Sequence, residues 1–452
     1  MKNVNILVLG GGASGLQSAI TAKTNYPDKS VVLVRKEKKA LVPCGIPYIF
    51  GTLDSSDKNI MPDKLLTDSG VEITIDEAEN IDIPKKICTF NSGEKVQFER
   101  LVFALGSIPV KPKGLKGVES KNVFTIPKNK VYLDEMHNKL RDLQKIIIVG
   151  AGFIGVEVAD EMNKGGWDVT LIEIEPYILN KAFDKEFGNE AEELLMKRGV
   201  KVITNNGIQE IKSKNGKVSG IELKDNTSLE ADAVVLTMGY VPNTSLLKDS
   251  GIQLNKFGFI KTCEYMRIND CQSDYFAVGD CAEKCDFITR KIDGTMLAST
   301  ACAEARIAGM NLYELGSFKT FNGTIAIYDT AIGETAFGTA GVTEAKAKKG
   351  NFEVVVGSFT GMDKHPGTLP NMQKQMVKLI AGTNCGMIIG GEVMGGTSIG
   401  ELTNAIGFLI QNRVNIYTLL GTQIGTHPLL TGSPAGYPLI KAAEVIAKKL
   451  KR

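Results

Sequence analysis

The chain has 452 residues, of which 43% are apolar, and its 53 basic and 51 acidic side chains leave a formal net charge of +2. This length calls for two or three domains, because single cores stop growing near roughly 250 to 300 residues, and the near-neutral balance gives no footprint for nucleic acid. No apolar run approaches the roughly 18 residues of a membrane span, and the first one flows straight into a glycine loop without a signal-peptide cleavage site. A cytoplasmic protein with neither nucleic-acid nor membrane partners is expected.

Residues 5–9 (NILVL) predict a strand, followed by Gly10, Gly12 and Gly15 at G-x-G-x-x-G spacing and an amphipathic helix. The glycines serve a tight turn, close approach of backbone to pyrophosphate, and close helix-strand packing. The helix N-terminus then offers free N–H groups to the phosphates. The next strand, VVLVRKE, has Arg35 where an acidic ribose ligand usually stands. Either Glu37 serves from a shifted register or the ribose is held otherwise.

LVPCGIPY, residues 41–48, sets Cys44 between two prolines, as a small buried apolar residue or as a nucleophile. Lys128 with Lys130, and the tail 448–452, read as solvated basic clusters. VYLDEMHNKLRDLQ, 131–144, predicts an amphipathic helix. Residues 145–149 predict a second nucleotide-binding strand, with Gly150, Gly152 and Gly155 opening its helix. The strand DVTLIEIEP then reaches Glu173 about 20 residues past the glycines, where a carboxylate accepts hydrogen bonds from a ribose diol. That favours NADH, because a 2'-phosphate meets Glu173 and Glu175 with no basic neighbour, so NADPH should bind less well. Two nucleotide sites suggest a relay between a held flavin and an exchanging nicotinamide.

The eight cysteines, Cys44, Cys88, Cys263, Cys271, Cys281, Cys285, Cys302 and Cys385, are scattered and expected to be reduced thiols. Cys281 and Cys285 have no second pair at metal-site spacing, so no metal is expected.

With LVFALGSIP (101–109), VVLTMGYVPNT (234–244) and YFAVGDCAE (275–283), nearly the whole chain resembles the FAD-dependent pyridine nucleotide-disulfide oxidoreductases. The resemblance implies an α/β fold with two Rossmann-like dinucleotide-binding domains and an α+β C-terminal dimerisation domain. The FAD domain would take residues 1–115 and 249–324, the NAD domain 116–248 and the dimerisation domain 325–452, the last beginning with the strand-like TIAIYDTAIGETAFG. No low-complexity linker intervenes, so rigid packing of domains is expected. Gly106 and Gly239 fall in the turns leaving the two nucleotide domains, and Asp280 would bind the ribityl chain. An apolar run ending in Gly279-Asp280 also presents a carboxylate at a strand end. Phe153 matches an aromatic ring covering the nicotinamide pocket and Glu157 a carboxylate at the flavin edge; ordinary helix packing and a solvated charge are the alternatives.

CGIPYIFG, with no second cysteine beside Cys44, resembles the single-cysteine branch, which holds coenzyme A disulfide and persulfide reductases and NADH oxidases and peroxidases. If residues 45–50 begin a helix, with Pro47 in its first turn, N–H groups and dipole would lower the Cys44 pKa. Oxidases and peroxidases carry a histidine where Ala13 stands, which shifts the reading towards sulfur substrates. Where coenzyme A disulfide reductases keep two tyrosines that reach the partner's cysteine, this chain has His365 and, nearby, His427, either proton donors or loop histidines bonded to backbone. Pro43 and Cys302 replace branch asparagines, which leaves coenzyme A binding open; Cys302 is a resolving thiol or a buried apolar residue. The expected protein is a homodimeric flavoprotein, with active sites completed across the dimer, that reduces disulfide, persulfide or polysulfide with NADH through Cys44. An NADH oxidase and a redox-sensing flavoprotein are the rivals.

Overall fold

β1 (Lys2–Leu9) is apolar at most positions because a parallel sheet covered on both faces leaves little of its centre to water. The computed structural model describes residues 1–248, 250–269, 273–316 and 320–450. Asp249, where the return to the flavin domain is expected, Cys271 and residues 451–452 of the basic tail lie outside the described residues. After β1 come α1 (Ala13–Asn25), β2 (Val31–Arg35), α2 (Lys64–Asp68), β3 (Glu72–Ile75), β4 (Ala78–Asp82), β5 (Ile87–Phe90) and β6 (Lys95–Phe103). Their strands lie in the order β3-β2-β1-β6-β5-β4, with β1, β2, β3 and β6 parallel.

β7 (Ser107–Pro109) leaves this sheet, and β8 (Val123–Thr125), α3 (Lys130–Leu140), β9 (Lys145–Val149), α4 (Phe153–Lys164), β10 (Asp168–Ile172), α5 (Lys185–Lys197) and β11 (Lys201–Ile203) begin another. β12 (Ile208–Lys214), β13 (Lys217–Leu223) and β14 (Ser228–Glu230) form an antiparallel sheet. β15 (Ala233–Leu236) then completes the parallel order β11-β10-β9-β15-β8. β16 (Tyr240–Pro242) pairs antiparallel with β7, so the two chain crossings form one ribbon.

β17 (Tyr275–Ala277) returns to the first sheet beside β6. β18 (Lys284–Cys285), β19 (Ile292–Asp293) and α6 (Ala298–Met310) follow, and Gly309 lets α6 lie close against Thr21 of α1. The C-terminal lobe consists of β20 (Tyr328–Ile332), β21 (Thr335–Gly341), α7 (Glu344–Lys349), β22 (Val354–Met362), β23 (Lys374–Gly382), β24 (Ile388–Gly395), α8 (Ile399–Gln411), α9 (Ile416–Leu420) and α10 (Pro438–Leu450). Its sheet is antiparallel, β20-β21-β24-β23-β22, with α8 and α10 burying their apolar faces on it.

The lobes share cores. Ile46, Ile49 and Phe50, just after Cys44, pack in one cluster with Val156 and Met162 of α4 and with Ile332 and Phe337 of the C-terminal sheet. A buried ammonium ties α5 to the same sheet: Lys378 donates to Asp184 at 2.7 Å and Glu186 at 2.5 Å, with Glu392 at 3.5 Å. Asp184, Glu186 and Glu392 stand close enough to bracket a cation, and the Lys378 ammonium reaches all three.

Candidate active site

Both glycine loops fold as strand, turn and helix. Gly10 sits at φ 119°, and a Cβ there would collide with the Ala104 carbonyl; one on Gly15 would collide with the Gly10 carbonyl. Gly150 (φ 105°) and Gly155 repeat the arrangement against Thr237 and Gly150. Gly12 and Gly152, at the helix starts, face open space. Neither α1 nor α4 has a side-chain N-cap or an acidic residue in its first turn. Uncapped amides before open space fit the pyrophosphates of two dinucleotides. Glu173 reaches the second loop, one oxygen accepting from the Ala151 amide at 2.6 Å and the other from the Glu175 amide at 3.0 Å. Gly106 (φ 70°) and Gly239 (φ 98°) make the left-handed turns into β7 and β16.

Arg35 does not replace the acidic ligand; it underpins the loop. Its side chain lies so close beneath Gly11 that a Cβ there would strike it. The guanidinium forms a two-pronged pair with Asp63, at 2.6 and 2.7 Å, and donates to the Glu37 and Lys38 carbonyls, each at 2.9 Å. The half-buried Glu37 is thus positioned by its backbone, and its own carboxylate makes no hydrogen bond within the chain among the described residues.

Lys128, read from the sequence as a solvated charge, instead donates to Asp280 at 2.6 Å and to Ser107 at 3.1 Å. Burial opposes ionisation of Asp280, but the Lys128 ammonium and the Ser107 hydroxyl outweigh it, holding the carboxyl below its usual range. Lys130 is likewise paired, with Asp57 and Asp134.

The segment after Cys44 is not an α-helix. Residues Pro43–Gly45 and Pro47–Phe50 form two short 3₁₀ turns, which are too short to develop the expected dipole. The thiol is open to solvent, yet burial by its surroundings, followed by Glu157, raises its pKa; Lys128 pulls the other way, and Asp280 and Cys302 add smaller upward pushes. The expected lowering is therefore overturned, because burial and then the Glu157 carboxylate outweigh the single ammonium. The residues that follow Cys44 pack against α4, and both Glu157 and Asp280 act on the thiol.

On α4, burial pushes Glu157 up to about 7, against a 2.9 Å hydrogen bond from Thr330 and with a further push from Glu161. Phe153 stacks on Tyr328, with centroids 4.8 Å apart and planes 9° from parallel. Tyr48, in the second 3₁₀ turn, is raised to about 12 by burial and then by Glu157. Thr330 and Tyr328 were not singled out by sequence, and Lys128 was read only as a solvated charge, since each acts through a partner far along the chain.

Cys302 is half-buried in α6, its sulfur 3.9 Å from the Ala13 carbonyl. The seven described cysteines are free thiols. His365, between β22 and β23, packs against the turn that carries His427: His365 Nδ1 lies 3.0 Å from the Thr431 carbonyl, and the His427 amide donates to the Thr431 hydroxyl at 3.0 Å. No contact among the described residues joins either to Cys44 of the same chain.

Residues 328–435 match the dimerisation domain of the pyridine nucleotide-disulphide oxidoreductases, which supports a homodimer. An NADH oxidase of Methanocaldococcus jannaschii is 28% identical over 98% of this chain and 99% of that protein. An NAD(P)H coenzyme A polysulfide/persulfide reductase of Pyrococcus horikoshii is also 28% identical, over 90% of each. The solved NAD-dependent persulfide reductase from A. fulgidus superposes with a TM-score of 0.91 at 26% identity, covering 99% of this chain and 84% of that one. No helix among the described residues is long and apolar enough to cross a membrane. Residues 4–305 match the family described as pyridine nucleotide-disulphide oxidoreductase, so the chain belongs to that family of NAD(P)H-dependent flavoenzymes and binds FAD and NAD(P)H.

Proposed function

We propose that the protein reduces a small disulfide, persulfide or polysulfide with NADH, using Cys44 as its only redox thiol. The observation that carries this reading is Cys44 itself, an exposed free cysteine at the head of a segment whose Ile46, Ile49 and Phe50 pack on α4, the helix that bears Glu157. The proposed division into 1–115 with 249–324, 116–248 and 325–452 is supported by β17 rejoining β6 and by β8 pairing with β15.

When bound, FAD supplies a two-electron carrier between NADH and sulfur. It would lie along Gly10, Gly12 and Gly15, with Gly106 in the turn leaving this lobe and Asp280 meeting its ribityl chain; NADH would lie over Gly150, Gly152 and Gly155, with Gly239 in the corresponding turn and Glu173 near its ribose. As thiolate, Cys44 attacks the sulfur-sulfur bond, which breaks as a mixed disulfide or cysteine persulfide forms. Lys128 favours that thiolate. The departing sulfur takes a proton from His365 or His427 of the partner subunit, an imidazole side chain serving as general acid. Coenzyme A derivatives are candidate substrates because a relative of equal identity carries that name.

The second reading, an NADH oxidase with Cys44 cycling through sulfenic acid, has a relative of that name behind it. Ala13, which offers no proton donor beside the first glycine loop, favours the sulfur reading. The experiment is anaerobic NADH oxidation with coenzyme A disulfide, coenzyme A persulfide, polysulfide or peroxide in turn, comparing native protein with Cys44→Ser. The serine variant should keep its flavin and its reduction by NADH but lose sulfur reduction at least about a hundredfold, the order expected for removing a nucleophile. Full sulfur reduction by the variant, or rapid oxygen uptake by native protein with no turnover of sulfur compounds, would sink the proposal.

A further inference from the structure

β20, the first strand of the C-terminal lobe, touches α4 twice. Tyr328 stacks on Phe153 and Thr330 donates to Glu157 at 2.9 Å. The match follows from two periodicities: residues i and i+2 of a strand share a face, roughly 6.6 Å apart, and residues i and i+4 of a helix share a face at about 6 Å. Tyr328 is itself fixed, its hydroxyl 3.2 Å from that of Thr295, whose amide donates to Asp293 at 2.7 Å. Phe153 is the first residue of α4, directly after the open Gly152, and also meets Phe183 at 6.0 Å. Its ring therefore stands at the edge of the second dinucleotide cradle, while Glu157, one turn on, faces Cys44.

We propose that Tyr328 and Thr330 are positioning residues for reduction by NADH: Tyr328 parks the Phe153 ring beside the cradle, and Thr330 fixes the Glu157 carboxyl. The inference rests on the reading that this face of α4 borders the nicotinamide. The same lobe that matches a dimerisation domain would then set how readily NADH delivers its hydride. The titratable groups that interact with Glu157 among the described residues are Glu161 on its own helix and Cys44 and Tyr48 of the segment packed on α4. Asp329 projects from the opposite face of β20.

The test uses the FAD-loaded protein and its variants Tyr328→Leu, Tyr328→Phe, Thr330→Val and Thr330→Ser. Flavin reduction by NADH is followed anaerobically by stopped flow, NAD+ affinity of the oxidised protein by calorimetry, and re-oxidation of dithionite-reduced protein with coenzyme A disulfide and polysulfide. Tyr328→Leu should change NAD+ affinity and limiting reduction rate by unequal factors, roughly two- to tenfold, the range set by one aromatic pair, with Tyr328→Phe near native. Thr330→Val should raise the pH midpoint of flavin reduction by roughly half to one pH unit, as loss of one hydroxyl hydrogen bond to a carboxylate predicts, with Thr330→Ser restoring it. Re-oxidation should be unchanged in all four. Native behaviour in both Tyr328→Leu and Thr330→Val, or equal loss of reduction and re-oxidation at normal flavin content, would overturn the inference alone. Failure of NADH to reduce the native protein would instead overturn the proposed function beneath it.

Discussion

At Cys44 the charges of distant segments decide the chemistry. Among the largest influences on the thiol from the described residues, Lys128 lowers its pKa, and its ammonium is already shared with Asp280. Lys128→Met should therefore raise the pH midpoint of Cys44 alkylation by iodoacetamide, by less than about one pH unit. A midpoint that stays put or falls would remove Lys128 from the thiol's surroundings. None of this was legible in LVPCGIPY. The cysteine and its prolines are local, but Lys128 meets Asp280 across 152 residues, and Arg35 meets Asp63 across 28. Arg35 was legible only as a departure from pattern; its task beneath Gly11 needed the fold.

Among elements, the parts read best from sequence were those whose geometry is set within one turn of chain. Gly10, Gly12, Gly15 and their counterparts at Gly150, Gly152 and Gly155 form both strand-turn-helix units, because backbone sterics fix them. The helix expected over residues 131–144 is shorter, Lys130–Leu140, and starts where Asn129 caps it by accepting from the Tyr132 amide. The helix expected after Cys44 collapses into 3₁₀ turns, because Ile46, Ile49 and Phe50 are drawn into the core shared with α4. The junction of α5 with β23 and β24 gives a sharper test. Removing one partner of a buried charge network costs roughly 3 to 5 kcal/mol, so Lys378→Met should be strongly destabilising. Burial and then Asp184 hold the Glu392 carboxyl well above its ordinary 4.5, so the folded protein keeps a proton there that the unfolded chain gives up. That carboxyl's contribution is intact below about pH 4.5 and lost as pH rises towards its folded value. Glu392→Gln should accordingly gain on native protein in melting temperature between pH 5 and 8; an unchanged difference would show that Glu392 is ionised.

For the whole molecule, the meeting of His365 and His427 at Thr431, with no contact to Cys44 of their own chain among the described residues, suits a site assembled from two copies. Mixing Cys44→Ser protomers with protomers carrying His365→Ala and His427→Ala should restore activity, because each hybrid dimer contains one intact pairing. Random exchange predicts about a quarter of native sites. Recovery of nothing, from two variants that each dimerise and hold flavin, would place the proton donor elsewhere. At this scale the sequence was informative because the order of glycine loops, exit strands and β20 repeats a family arrangement; which faces touch, such as Tyr328 on Phe153, depends on packing that no local pattern encodes.

The ribbon made by β7 and β16 has an architectural corollary. Pro109 lies opposite Tyr240 and Ser107 opposite Pro242, so the chain enters and leaves the middle lobe side by side, about 4.8 Å apart as neighbouring strands are. Exchanging such a lobe for one of different nucleotide preference leaves only a strand's width of chain to rejoin, provided that the faces of α4 and α5 packed on the other lobes are kept.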